Sequence, residues 1–368
     1  MYRFPGFSGN WNITLVKDIC DINTGKSNTQ DQVDNGKYPF YIRSATPVKS
    51  NRYRFDCEAV ITIGDGQIGR VFHYVNGKFD LHQRCYMMSN FRDISPRYFY
   101  YFFSEFFYER AMRLTAKATV DSVRLEMISD MPIFLPPTRE EQEIIAECLG
   151  EIDAMISAQD QKVKSLKAHK KGLTQLFFPG PGASTPTLRF PGYTGEWKER
   201  RLGDVLDYEQ PTQYLVSSDS YHKKGTPVLT AGKTFILGYT DESYGIYDKV
   251  PVIIFDDFVT ESKYVTFPFK AKSSAMKMLF LKNKSENLYF AYNVLLLNQK
   301  PTGDHKRHWI SETSQISVLY PPTEAEQQKI ASCLFELDTI IKAESEKLDV
   351  MKTHKKGLMQ QLFPKPIK

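Results

Sequence analysis

Thr138 to Phe178 reads TREEQEIIAECLGEIDAMISAQDQKVKSLKAHKKGLTQLFF, and the organisation of the chain follows from how that stretch must pack. It contains no proline and is built almost wholly from good helix formers, so it predicts one long helix. Its apolar residues step by four and three: Ile145, Leu149, Ile152, Ile156, Val163, Leu166, Leu173 and Phe177, with Gln159 and Lys170 at the two vacant steps. That spacing is a heptad seam, which needs a partner helix.

The partner lies in the same chain. A shift of 185 residues carries Ile145 onto Ile330 and continues through Leu334, Leu337, Ile341, Leu348, Met351, Leu358 and Leu362, with Glu344 and Lys355 at the polar steps. The flanks repeat as well. Pro136-Pro137-Thr138 with Glu141-Gln142 returns as Pro321-Pro322-Thr323 with Glu326-Gln327, and His169-Lys170-Lys171-Gly172 returns as His354-Lys355-Lys356-Gly357. The chain is an internal duplication.

Charge orients the pair. In the first helix the acids Glu140, Glu141, Glu143, Glu147, Glu151, Asp153 and Asp160 precede the bases Lys162, Lys164, Lys167, Lys170 and Lys171. Antiparallel pairing sets acid against base, whereas parallel pairing would force the short connector Pro179 to Pro186 to retrace a helix about 60 Å long. The competing arrangement has each helix packing separately on its own domain, its interrupted seam facing a sheet.

The repeat starts before the helix. Arg3-Phe4-Pro5-Gly6-Phe7-Ser8-Gly9 with Trp11 returns as Arg189-Phe190-Pro191-Gly192-Tyr193-Thr194-Gly195 with Trp197. An antiparallel pair would bring the C-terminal Phe363 beside the first domain, near Arg3, and make the chain nearly circular. Between these ends, residues of about 20 to 135 and 205 to 320 match only in outline: Tyr38-Pro39-Phe40 with Thr226-Pro227-Val228, and Ala59 to Ile63 with Pro251 to Phe255. In the first region Arg70 to Val75 alternates as a strand, Asn76-Gly77 predicts a type I′ hairpin turn, and a second strand follows from Leu81 to Met88. Ser95-Pro96 then predicts the capped start of an aromatic helix, with a counterpart at Asn287 to Leu296.

The 368 residues carry a net charge of +5, mildly basic and compatible with nucleic acid. The 5 cysteines (Cys20, Cys57, Cys85, Cys148, Cys333) are scattered without CxxC spacing, which predicts a reducing compartment with neither disulfides nor a zinc site. The opening Met1 to Pro5 lacks a signal-peptide core, and no run reaches the roughly 20 apolar residues of a membrane span, so the expectation is a cytoplasmic protein without a membrane partner.

The paired RFPG(F/Y)xGxW openings at Arg3 and Arg189, the paired PPTxxEQxxIAxCL segments at Pro136 and Pro321, and the KKGL segments closing each helix resemble the specificity subunit of type I restriction-modification systems over essentially the whole chain. The resemblance implies an α+β fold with two target-recognition domains in pseudo-two-fold arrangement, joined by two long antiparallel coiled-coil helices. It implies residues 1–137 as the first recognition domain, 138–178 as the first spacer helix, 179–188 as linker, 189–322 as the second domain and 323–363 as the second helix. It further implies a non-catalytic subunit that reads a bipartite double-stranded DNA target, one half with each domain, the helices acting as a ruler. Two modification subunits that bind S-adenosylmethionine and methylate adenine would dock on it, and two restriction subunits using magnesium and ATP can join; this chain would hold no cofactor.

Residues that would touch DNA are basic or amide-bearing loop residues. In the first domain these are Arg43, Lys49, Arg52, Arg54 and Gln67, together with Lys117 and Thr119 in a late small-polar loop that the resemblance favours. In the second they are Lys233, Lys263, Lys272 and Lys277, with His305, Lys306 and Arg307 in the corresponding late loop. Arginine matches guanine bidentately, while lysine more often meets phosphate.

Other signals carry less. Gly64 to Gly69 spells GxGxxG, but a strand pattern follows where a dinucleotide fold needs a helix, so the glycines predict a tight turn or a close approach of DNA backbone. Asp248 with Glu261 and Lys263 imitates a metal-dependent nuclease, the enzyme alternative; the other alternative is a coiled-coil scaffold whose domains bind protein. His305 and His308 lack partners of metal-site spacing, and His169 and His354 are expected to face solvent or a partner subunit. No phosphate-binding P-loop and no Asn/Asp-Pro-Pro-Tyr/Phe methyltransferase motif is present.

Overall fold

The computed structural model describes residues 2–115, 122–232, 234–299 and 307–364. Packing divides the chain into two compact units, residues 1–161 with 345–368, and residues 162–344. The long helices are Arg139–Phe177 and Glu324–Leu362, 39 residues each. Each contributes one part to one unit and the rest to the other. Both start alike: Thr138 Oγ1 accepts the Glu141 N–H and Thr323 Oγ1 accepts the Glu326 N–H, each at 3.3 Å.

In the unit of residues 1–161 and 345–368, a six-stranded sheet runs in the order Asp21–Thr24, Cys85–Ser89, Phe55–Ile63, Phe72–Leu81, Tyr38–Tyr41, Val48–Ser50. All neighbours are antiparallel except Tyr38–Tyr41, which lies parallel to Phe72–Leu81. The aromatic helix starts where its cap predicts, Pro96–Thr115, and buries Tyr98, Phe99, Phe102, Phe103 and Phe107 against the sheet and the long helices. Ile145, Ala146 and Leu149 share that core with Met359, Leu362 and Phe363 from the end of the second long helix. Phe363 lies edge-on to Tyr98 and Phe102 at 5.5 Å, and Tyr2 N–H bonds the Gln361 carbonyl at 2.8 Å, so the chain's two ends meet here as antiparallel pairing requires.

The hairpin at Asn76-Gly77 does not form. Phe72–Leu81 is one strand of 10 residues, laddered to Phe55–Thr62 straight through Asn76↔Glu58 and Gly77↔Cys57. Asn-Gly is a local preference, and the long ladder outweighs it; Gly77 keeps a φ of +115° inside the strand. The turn lies instead at Gln83-Arg84, between that strand and Cys85–Ser89.

The unit of residues 162–344 repeats the plan with a broken middle. Its four-stranded sheet is ordered Leu206–Glu209, Met276–Leu281, Val252–Asp256, Ser262–Val265, and a three-stranded sheet is ordered Ile236–Thr240, Thr226–Leu229, Lys270–Ala271. The stretch from Ser262 to Ala271, counterpart of Phe72 to Leu81, is interrupted around Pro268, whose nitrogen has no proton to give a ladder. Its helix is Leu288–Asn298, capped by Asn287 Oδ1 accepting the Phe290 N–H at 2.9 Å. Phe177 and Phe178 share its core with Ile330, Ala331 and Leu334.

Each unit is tied to the helices by the same bonds, which explain the repeated motifs. Arg3 grips both oxygens of buried Glu141 at 2.9 and 2.6 Å and the Gly9 carbonyl at 2.5 Å. Arg189 grips Glu326 at 2.7 and 2.8 Å and the Gly195 carbonyl at 2.7 Å. The neighbouring amides cap the domain helices: Gln142 Oε1 accepts the Ser95 N–H at 2.8 Å, and Gln327 Oε1 accepts the Asn287 N–H at 3.3 Å.

The lysines at the polar seam steps are keys rather than gaps. Lys355 Nζ donates to Asp153 at 2.5 Å, and Tyr101 donates to the same carboxylate at 2.9 Å. In the other unit Lys170 Nζ donates to both oxygens of Asp338 at 2.6 Å, joined by the Tyr289 hydroxyl. Burial and the Asp153 charge push the Tyr101 phenol well up, and burial with the Asp338 bond does the same to Tyr289, so both remain donors. Lys162 pairs with Glu344, and with Lys170 on Asp338 this gives opposite chain directions within the unit.

Candidate nucleic-acid interface

In the first unit one acidic turn collects what sequence distance scattered. The Gly64–Gly69 segment, following the strand Phe55–Ile63, is a turn and not a nucleotide loop. It is built by close contact: a Cβ on Gly64 would stand 2.7 Å from the Arg84 carbonyl oxygen, and Gly69, at φ +65°, would meet Tyr108 Cα at 2.9 Å. The turn presents Asp65. Arg43 reaches it through Nη1 at 3.1 and 3.2 Å, and Arg84 through its own Nη1 at 2.7 Å. Partial burial raises the Asp65 carboxyl, but the two guanidinium groups outweigh it and hold the acid below the usual range. Gln67 lies exposed on the same turn.

A second knot adjoins it. Asp80 is fully buried and accepts from Ser27 Oγ at 2.7 Å and from Arg52 Nε at 3.3 Å. Arg54 donates to Ser27 Oγ at 3.1 Å, and Arg52 also pairs with Asp31 at 2.5 Å. Ser27 bridges His82, two residues before Arg84, so both knots sit at one end of the sheet. Lys49 is exposed on the edge strand Val48–Ser50. Lys117 and Thr119 lie outside the described residues; of the residues that follow, Val123 N–H bonds the Gly64 carbonyl at 2.7 Å and Ser122 bridges Asp65.

Arg84 and Asp65 were not among the sequence candidates. With a turn expected at Asn76-Gly77, Arg84 fell inside a strand; moved to the true turn, it becomes an exposed loop arginine. Its mount is rigid: His82 Nδ1 accepts the Arg84 N–H at 3.1 Å, and the Gly64 N–H holds the Arg84 carbonyl at 2.8 Å.

The second unit uses the same place differently. Asp257, after the strand Val252–Asp256, is buried and pairs with Lys277 at 3.1 Å, while its Oδ1 accepts the Trp309 N–H at 2.8 Å and its carbonyl accepts the His308 N–H at 2.9 Å. Lys277 is 2% exposed, lies 4.4 Å over the Tyr208 ring and cannot offer its ammonium to DNA. It is removed from the candidates: the strand Met276–Leu281 turns it inward, where Asp257 compensates its charge. His308 is likewise buried and bonded to Glu312, a structural anchor for the end of the late loop rather than a loop histidine near DNA. Arg307 beside it is exposed; His305, Lys306 and Lys233 lie outside the described residues. Lys272 is partly exposed and pairs with Asp219, and Lys263 is half-buried on the strand Ser262–Val265.

His169 and His354 are exposed. Cys20 and Cys85 are free and buried, their thiols pushed up to about 12 by burial. Among the described residues no three or more His, Cys, Asp or Glu side chains gather in a metal-binding group, and no helix is long and apolar enough to cross a membrane.

Comparison with known proteins follows the duplication. The family described as type I restriction modification DNA specificity domain matches twice, over residues 8–168 and 194–352. The Escherichia coli EcoR124I/EcoR124II specificity subunit is 50% identical over 147 residues, 38% of this chain and 36% of that one, so the match spans about a third of the relative's length. A Mycoplasma pneumoniae chain named as a type I specificity subunit is 25% identical over 340 residues, 87% of each. The crystal structure of the S subunit of a type I restriction-modification system from M. genitalium shares the fold with a TM-score of 0.74 at 15% identity, covering 100% of this chain and 99% of that one. With two copies of the specificity domain spanning most of its length, the chain belongs to the type I restriction-modification DNA specificity family.

Proposed function

We propose that this chain reads an asymmetric, two-part DNA target, one half with each unit, and presents it to two modification subunits that bind S-adenosylmethionine and methylate adenine. Restriction subunits, using magnesium and ATP, can join the same assembly. One observation carries the reading: the bonds that attach domain to helix are repeated residue for residue, while the chemistry at the sheet ends has diverged. Arg3–Glu141 and Arg189–Glu326 are the same joint, as are Lys355–Asp153 and Lys170–Asp338. Beyond the joints, two exposed arginines on Asp65 stand where the other unit has a buried lysine on Asp257. A constant frame with unlike ends suits two different short words, read through base edges and local shape.

The test exchanges residues 205–320 for the corresponding region of another family member and maps methylated adenines in cells carrying the hybrid. One half of the recognised sequence should change and the other persist. A change in both halves, or in neither, refutes the reading.

A further inference from the structure

We propose that Arg43 and Arg84, aimed by the Asp65 carboxylate between them, are a guanine-reading pair for one half of the target, with Asp65 a positioning residue that does not itself touch DNA. The inference rests on the reading of the chain as a two-part DNA reader and assigns one of its contacts.

The geometry separates base reading from phosphate binding. Each guanidinium spends only Nη1 on Asp65, and neither makes another hydrogen bond among the described residues, so each keeps Nε and Nη2 for a partner. Their side chains are 43% and 62% exposed, against 19% for Asp65. A free fork edge matches the O6 and N7 acceptors of guanine in the major groove. A site meant only for phosphate gains nothing from a carboxylate at its centre, since that charge repels phosphate and halves the local positive charge. What the carboxylate supplies is direction: it holds two flexible side chains in one arrangement before DNA arrives, so less freedom is lost on binding.

The backbone beneath is correspondingly fixed. Behind Arg84 stand His82 and Gly64, as described, and behind Arg43 the His73 ring donates from Nε2 to the Ser44 carbonyl at 3.2 Å. The turn bearing Asp65 is held from its other side by Ser122 and Val123. No equivalent pair exists among the described residues of the other unit, where Asp257 is consumed by Lys277 and Trp309. The guanine requirement assigned here therefore falls in one half of the target.

The experiment selects duplexes bound by the full chain from a random-sequence DNA library and compares the consensus for wild type, Arg43→Ala, Arg84→Ala, Arg84→Lys and Asp65→Asn, with thermal melting as the control for folding. Wild type should return two separated words. Each alanine variant should bind the wild-type consensus roughly 5- to 150-fold more weakly and lose a guanine in one word only, the other word unchanged. Arg84→Lys should not restore that guanine, because an ammonium has no fork. Asp65→Asn should bind random duplex as well as or better than wild type while blurring the same guanine, a combination that loss of folding cannot produce. An unchanged consensus in the arginine variants overturns the proposal and leaves the two-part reading standing. So does uniform weakening on every duplex with a salt slope smaller by about 1 per arginine, the mark of phosphate contact. Failure of wild type to return two words overturns both.

Discussion

Lys277→Met distinguishes a structural lysine from a DNA-binding one, and the structure sets the size of the effect. The Lys277 ammonium lies 3.1 Å from Asp257 Oδ2, with both side chains 2% exposed. Removing it leaves a buried carboxylate with the Trp309 N–H on its other oxygen and, among the described residues, no opposite charge paired with it. Breaking one side of such a pair costs about 3–5 kcal/mol. Methionine keeps most of the stem's packing against Tyr208, so the expected loss is about 3 kcal/mol. At about 2–4 °C per kcal/mol for a unit of this size, the transition of residues 162–344 should fall by roughly 6–12 °C in calorimetry of the full chain. Adding Asp257→Asn should recover part of that loss, because the amide oxygen still accepts the Trp309 N–H and the uncompensated charge is gone. Binding to random duplex should keep its salt dependence, since a buried ammonium displaces no counterion. If Lys277→Met leaves stability within about 0.5 kcal/mol and lowers the salt slope by about 0.9, the burial argument is wrong and Lys277 is a phosphate contact.

Further outcomes follow from the same contacts. Phe363→Ala removes a side chain 1% exposed and packed among Tyr98 and Phe102, and should destabilise the unit of residues 1–161 and 345–368 by about 3–5 kcal/mol in urea unfolding. Lys170→Asp should set two carboxylates together beside Tyr289 and lower the melting temperature, and the added Asp338→Lys should restore most of it, because the exchanged pair keeps both charge and register. Burial holds His73 below the ordinary imidazole range, and burial together with Arg43 does the same to His82. The unfolded chain therefore takes up those protons first: their contribution is fully present above pH of about 6.5 and is lost as pH falls below it towards the depressed folded values. His73→Gln with His82→Asn, which cannot titrate, should flatten the melting temperature of that unit across this window.

Much of the architecture is legible in residue order because it rests on repetition and period. The heptad seam, its second copy 185 residues on, the Ser95-Pro96 and Asn287 helix starts and the antiparallel sense within each unit all follow from local patterns or from comparing the chain with itself. The motif Arg-Phe-Pro-Gly and the pair Glu-Gln could be seen to recur, but that they are the two halves of one joint, Arg3 on Glu141 and Arg189 on Glu326, emerges only when residues some 137 positions apart are brought together. Lys170 and Lys355 read as flaws in an apolar seam because their acids sit on the other helix.

The candidate interface was partly legible for the same reason. Arg43, Arg52, Arg54 and Gln67 were identifiable by residue type and loop setting; Arg84 was hidden by a turn placed at Asn76-Gly77, and Lys277 was included although strand alternation turns it inward. A dipeptide's turn preference is a local energy of small size, and a ladder shared with Phe55–Ile63 decides against it. Order along the chain thus determined the doubled frame, because helix and seam obey short-range periods. Tertiary structure alone decided which charges face solvent, because neutralisation by Asp65, Asp80 or Asp257 depends on strands that meet only in the folded sheet.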